Sequence, residues 1–339
     1  MNPDWRNFLQ STGAVFDGEA SVISDFGDAA GEIGAAAQTV VTPLTHLALI
    51  KATGEDARTF LHNQLTSDVN RLPDNQAQHA AWCTAKGRMQ ASFLLWREDG
   101  GYRLVLSADL VEATLKRLPM FILRSKVKLA AENDQALFGL AGPQAGAALA
   151  AAGLPALAAA APLAVAAANG CAVIQLAGER FMVAAPTAAA PALWSALTAT
   201  ARPVGAPVWR WLDIKAAWPL VTLATREAFV PQMADFEKIG GLSFNKGCYP
   251  GQEIVARTQY LGKVKRHLYR LRSAAALAAG DALFSPANPD QSCGQVMTAA
   301  PAPDGGFAAL AVVQSNFADN LHLGSRTGAP VEAVAVNPA

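Results

Sequence analysis

Between Asp134 and Glu179 the chain carries no Asp, Glu, Lys or Arg, and residues 147–168 are almost entirely Ala and Leu. Such a run either crosses hydrocarbon or sits in the interior of a soluble domain. Gly153, Pro155 and Pro162 interrupt it. Ala also contributes little transfer energy beside Leu or Ile, so a membrane span is not expected. The flanking pattern reads as strand 136–140, helix 145–152, strands 171–176 and 180–183, and helix 190–200. That alternation suits a small α+β unit with helices on one face of an antiparallel sheet. Pro203 and Pro207 close it.

Charge narrows the partners. The 339 residues hold 27 Lys+Arg against 27 Asp+Glu, so no surplus exists to neutralise phosphates, and direct nucleic-acid binding is not expected. At 52% hydrophobic residues, the chain can build a sizeable core. Its length suits two or three domains. Cys83, Cys171, Cys248 and Cys293 are widely spaced with no CxxC. That argues against structural zinc, a permanent iron–sulfur cluster and a disulfide scaffold. His46, His62, His79, His267 and His322 form no metal-binding pattern. The N-terminus has no apolar signal region, so a cytoplasmic location is expected.

Along the chain, residues 1–36 are rich in Gly, Ala and Asp and read as an arm or loosely packed leader. Residues 42–50 read as one strand. Thr53-Gly54-Glu55-Asp56 resembles a capping box, with a helix following over 55–66. Residues 79–96 are strand-like with a bend at Lys86-Gly87, and 102–107 is the return strand. Residues 108–122 look helical, disturbed by Pro119. After Lys263 come short strands at 266–272, 281–285, 293–298 and 307–313, separated by turn clusters. These predict an all-β terminal domain, a small barrel.

The densest chemistry is Lys246-Gly247-Cys248-Tyr249-Pro250-Gly251-Gln252-Glu253. Its glycines and proline make the first half a turn in which backbone can approach a ligand closely. Residues 253–257 form an element with Ile254 and Val255 inward. A lone cysteine is more often a small buried hydrophobe. Here Lys246 and a helix start favour the thiolate, which makes Cys248 a candidate reactive thiol. The nearest histidine, His267, has no orienting partner in the sequence, so a cysteine-protease arrangement is not supported. Cys83, Cys171 and Cys293 read as core. Lys263, Lys265, Arg266, His267, Arg270 and Arg272 form one basic cluster, either a solvated strand face or a rim for a polyanion. Trp209, Trp211 and Trp218 read as core, with a flat ligand wall as the lesser reading.

The octapeptide, with FVPQM and IGGLSFNKG before it and VARTQYLGKVKR after it, resembles the YgfZ-type folate-binding proteins, relatives of the glycine-cleavage aminomethyltransferase. The stretches Gly54-Glu55-Asp56-Ala57, Gln64-Leu65-Thr66-Ser67-Asp68-Val69 and Cys83-Thr84-Ala85-Lys86-Gly87-Arg88 are similar to that family as well. The resemblance implies an α+β, three-domain ring around a central channel. The leader, 1–36, would precede a folate-binding domain in two parts, 37–129 and 206–265. A ferredoxin-like inserted domain would occupy 130–205 and a C-terminal β-barrel 266–339. It implies that tetrahydrofolate or a derivative binds in the channel. The implied role is assembly or repair of iron–sulfur enzymes, including those that modify tRNA, with such enzymes or assembly factors as partners. Carried over by position, Lys246 and Cys248 are the polar pair expected to carry activity. Tyr249, Gln252, Glu253, Arg257, Gln64 and Lys86 are expected to face folate, with Arg257 meeting a folate carboxylate.

Two departures stand out. Where the aminomethyltransferases have an Asp pair, this chain has Gln90 and Ala91, and a neutral amide cannot act as a general base. Where relatives have Arg and Gly before the motif, this chain has Asp213 and Ala217, with Lys215 as the possible replacement cation. Two further readings stay open: a folate-dependent aminomethyltransferase or demethylase, and a thiol-bearing scaffold with a vestigial pocket.

Overall fold

The computed structural model describes every residue except 19–20, 99, 158–160, 262–263 and 337–339. Asn2 caps helix α1 (Pro3–Ser11), its side-chain oxygen accepting from the backbone N–H groups of Asp4 and Trp5. A two-stranded hairpin follows, β1 (Val15–Asp17) and β2 (Val22–Asp25), and then α2 (Ala29–Gly34). This segment is not a loose leader. Trp5 and Leu9 are buried in one core with Phe138, Phe181 and Trp194. The apolar face of α1 is only nine residues long. It lies beside Gly- and Asp-rich turns that dilute its periodicity.

The strand expected over 42–50 is two strands, β3 (Val40–Pro43) and β4 (Leu47–Thr53), and they join different sheets. The capping box does not form. Thr53 ends β4, and α3 (Ala57–Gln64) starts after Asp56, whose side chain makes no cap bond. Instead its Oδ2 accepts from Lys126 N at 2.7 Å. The chain continues through β5 (Ala77–Cys83), β6 (Met89–Glu98), β7 (Gly101–Ser107), α4 (Val111–Arg117) and β8 (Lys128–Ala131). Helix α4 is shorter than expected because its ends tighten into 3₁₀ turns at 108–110 and 118–121, the second holding Pro119. These strands form an antiparallel sheet in the order β5-β6-β7-β4-β8.

The uncharged run then builds the middle unit: β9 (Gln135–Ala141), α5 (Ala145–Ala151), β10 (Val165–Ala168), β11 (Cys171–Gln175), β12 (Arg180–Pro186), α6 (Ala190–Thr198) and β13 (Arg202–Pro203). Its sheet order is β10-β11-β12-β9-β3-β13. One face carries Phe138, Leu140, Val173 and Val183 into the core beneath α5 and α6. The opposite face carries Leu137, Ile174 and Met182 into a second core with Trp96 and Trp209. Burial on both faces explains the missing charge. Among the described residues, no helix is long and apolar enough to cross a membrane.

Helices α7 (Ala206–Lys215) and α8 (Gln252–Leu261) bracket the motif-bearing segment. A closed barrel ends the chain, formed by β14 (Arg266–Ser273), β15 (Ala282–Phe284), β16 (Gly294–Pro301), β17 (Phe307–Gln314), β18 (Leu321–Leu323) and β19 (Pro330–Ala335). Its last two strands carry no alternating pattern long enough to read in advance.

The fold is α+β, and its three units close on one another. The two sheets join where Ala77 N donates to Leu163 O (2.7 Å) and Val165 N to Asn75 O (2.8 Å). The middle sheet meets α7 where Gly139 leaves room for the Trp209 ring; a β-carbon there would stand 2.6 Å from that ring. The barrel meets the first unit through Leu268, Met297 and Leu310, which share a core with Phe60, Trp82 and Phe229.

Candidate functional site

The octapeptide turn is fixed from below by its lysine. Lys246 Nζ donates to the carbonyls of His62, Leu65 and Ser67, the last at 3.0 Å. These carbonyls lie at the C-terminal end of α3 and just beyond it, where helix geometry leaves acceptors unsatisfied and negative. The same ammonium stands 5.0 Å from the centre of the Tyr249 ring. Burial lowers its pKa to about 8, while Asp68 acts to raise it. Lys246 is thus a clamp with its donors engaged.

Side chains alternate along the turn. A β-carbon on Gly247 would stand 3.6 Å from His62 Nε2. Cys248 points outward and is exposed, and Tyr249 is buried. Burial raises the Tyr249 hydroxyl pKa, as does Cys83. Cys83, Cys171 and Cys293 are buried as expected. Burial pushes the Cys83 thiol up as well.

The second half of the octapeptide locks onto a distant stretch. Gly251 has φ +84°, and a β-carbon there would meet Thr84 O at 2.5 Å and Gly87 Cα at 2.6 Å. Gly87 has φ +71°, and its missing β-carbon faces Ile254. Both turns need glycine for conformation and for clearance. Two motifs more than 150 residues apart therefore form one glycine-to-glycine joint. The next seam is Thr66, whose Oγ1 donates to Gly241 O (2.6 Å) and accepts from Ala81 N (2.8 Å).

Of the expected folate-facing residues, Tyr249 is buried, Gln64 and Gln252 are half-buried, and Lys86, Glu253 and Arg257 are exposed. Lys246, Cys248, Tyr249 and Gln64 gather around the end of α3. Lys86 and Gln252 sit at the glycine joint. Arg257 lies further along α8, outside this cluster. Ile254 and Val255 are not both inward. Successive helical residues are about 100° apart, so Val255 is buried while Ile254 is 37% exposed.

Sequence patterns missed several polar residues. His62 Nδ1 lies 3.2 Å from Asp68 Oδ1. Burial, and then Lys246, push its pKa down. Gln64 Oε1, Gln90 Oε1 and Glu237 Oε2 are buried without a hydrogen-bond partner. Gln90 shares its face of β6 with Ser92, whose Oγ accepts from Val221 N at 2.9 Å. Ala91 is fully buried in the opposite core.

The Asp213 departure has a partner that the sequence did not suggest. Asp213 pairs with Arg180 of β12, and that guanidinium stacks 4.5 Å from the Trp209 ring centre. Lys215 is exposed, over the Trp211 ring at 4.7 Å, and supplies no replacement charge. Ala217 holds φ +55°, the left-handed conformation that favours glycine.

Three residues of the basic cluster serve the protein itself. His267 Nδ1 donates to Asp235 Oδ1 at 2.9 Å, so this histidine does have an orienting partner. Arg270 donates to the carbonyls of Ile214 (3.1 Å) and Lys215 (2.8 Å), capping α7. Arg272 pairs with Asp304 at 2.7 Å. Lys263 lies outside the described residues. Among those described, no group of His, Cys, Asp or Glu is arranged to hold a metal.

No protein-family profile matches the chain. A tRNA-modifying protein YgfZ of Klebsiella pneumoniae (strain 342) is 37% identical over 230 residues, 67% of this chain and 70% of that protein. The Sodalis glossinidius (strain morsitans) protein of the same name is 34% identical over 281 residues, 81% of this chain and 86% of that protein. The chain belongs to the YgfZ family. Membership accounts for the octapeptide and for the stretches that dock on it. The fold of this chain is in turn that of an aminomethyltransferase. The Bartonella henselae glycine cleavage system aminomethyltransferase T superposes with a TM-score of 0.75 at 20% identity, covering 98% of this chain and 96% of that one.

Proposed function

We propose that the chain binds tetrahydrofolate or a derivative and serves tRNA modification as an accessory protein, supporting assembly or repair of iron–sulfur enzymes in the cytoplasm. Kinship with proteins named as tRNA-modifying supports the setting. The aminomethyltransferase fold supports the folate. The residues present suit that ligand. Gln64, Gln90 and Glu237 hold buried oxygen acceptors without partners, on segments that meet near Thr66, and a pterin presents N–H groups to such acceptors. Tyr249, Gln252 and Gln64 are assigned to the folate wall, and Lys86, Glu253 and Arg257 to its rim.

One observation carries the accessory reading over one-carbon transfer. At the Asp-pair positions a neutral amide faces the interior and an alanine fills the core, so no proton acceptor stands there. What the site offers instead is an exposed thiol on a clamped turn. Cys248 is the group assigned to act on a client, and Lys246 holds it in place.

The test is complementation of a cell lacking its own family member. Wild type restores the tRNA nucleosides made by iron–sulfur enzymes, and Cys248→Ala folds and binds reduced folate but does not restore them. Full restoration by Cys248→Ala would falsify the thiol's role. Methylene-folate production from an aminomethyl carrier by the pure protein would overturn the accessory reading.

A further inference from the structure

A cavity of about 330 Å³ lies between the N-terminal hairpin, the end of β7, α7 and the barrel, and no octapeptide residue lines it. The turn before β4 contributes His46, the end of β7 contributes Ser107, α7 contributes Arg210, the chain after α7 contributes Trp218, and the barrel contributes Thr298. Two of these groups lack partners among the described residues. His46 is 6% exposed, and neither ring nitrogen has a hydrogen-bond partner. Burial, and then Arg210, keep that ring neutral, so it offers one donor and one acceptor. The half-buried Arg210 guanidinium makes no hydrogen bond or salt bridge among the described residues. Burial lowers its pKa, opposed by Asp17, Asp109 and Asp213.

Those three carboxylates do not close on it. Asp213 is taken by Arg180. Asp17 Oδ1 accepts from Val22 N at 3.2 Å, and Asp109 Oδ2 from Leu223 N at 3.0 Å. A guanidinium with a free planar fork, beside a neutral imidazole and an indole, suits a carboxylate on an aromatic body. Asp17 and Asp109 are both exposed and also line the cavity. They oppose additional negative charge, which disfavours phosphate and chains of carboxylates.

We propose that this cavity receives a carboxylate of an aromatic acid through Arg210 and His46. Resting on the folate reading above for the ligand's identity, that group is a carboxylate of the p-aminobenzoylglutamate end. The sequence had pointed to Arg257 for this contact. The bound form is then the monoglutamate in preference to a polyglutamate.

The test is calorimetric titration of the full chain with 5-formyltetrahydrofolate and, separately, with p-aminobenzoylglutamate alone. Arg210→Gln is expected to weaken the reduced folate at least tenfold and to abolish binding of the tail fragment. Mass spectrometry gives a check that needs no variant. In the wild-type chain, p-aminobenzoylglutamate is expected to protect Arg210 from phenylglyoxal. If reduced folate binds but Arg210→Gln changes nothing and Arg210 is unprotected, the cavity assignment is wrong and the folate reading survives. If the fragment binds through Arg210 but reduced folate does not, the cavity stands and the folate reading falls. If neither binds, both fall.

Discussion

Lys246 and Cys248 sit two positions apart and do opposite work. Lys246 satisfies three backbone carbonyls at the end of α3. Lys246→Met leaves them without a donor and is expected to cost about 2–3 kcal/mol of stability. Cys248 is exposed, so Cys248→Ala should stay within about 0.5 kcal/mol of wild type. Urea unfolding of both variants checks the contrast, and equal losses would contradict it. Lys246 also sets a pH dependence. Burial lowers its pKa from 10.5 to about 8, so within that window the unfolded chain keeps a proton that the folded chain releases. Stability should therefore rise with pH across the window and be lost as pH falls through the lower value. Unfolding midpoints at both ends of the window test this. The rise should disappear in Lys246→Met, and an unchanged rise would assign it elsewhere.

At the scale of elements, the glycine joint links the two motif stretches. Gly251→Ala places a β-carbon against backbone atoms and is expected to cost about 3 kcal/mol. Gly178 has a similar φ of +74° with nothing within 4 Å, so Gly178→Ala should cost only about 1 kcal/mol. Thermal unfolding of the pair separates clash from conformation. Equal losses would mean the turns do not interlock. The motifs themselves were legible, because turn residues at fixed offsets announce themselves. Their mutual docking was not, since spacing along a chain carries no information about which turns meet. The same limit hid Arg180 behind Asp213 and Asp235 beside His267. Each pair spans more than 30 residues, and no local rule joins them. The capping box failed for a different reason. Thr53 fits the box locally, but strand pairing of β4 with β7 and β8 claims it.

The whole molecule is a closure of three units, and each covers apolar surface the others expose. The N-terminal helix is part of that closure, although composition alone suggested an arm. Trp5 packs 5.4 Å from Phe138, centre to centre. Trp5→Ala is expected to cost about 3–5 kcal/mol, read by thermal unfolding. A loss below about 1 kcal/mol would return residues 1–36 to the status of an appendage. The α+β middle unit and the terminal barrel were legible in the sequence because strand and helix periods differ, and the three-domain arrangement came from the family resemblance. Among the described residues the uncharged run holds no helix long and apolar enough to cross a membrane, but the burial of its sheet on both faces emerged only with the neighbouring units in place.

The account stands on reduced folate entering a site whose Asp-pair positions hold Gln90 and Ala91. Equilibrium titration of the intact chain with tetrahydrofolate measures this most directly. Saturable binding, retained in Cys248→Ala and unaccompanied by any change in the folate, is the predicted result. A folded protein that shows no saturation would contradict the account.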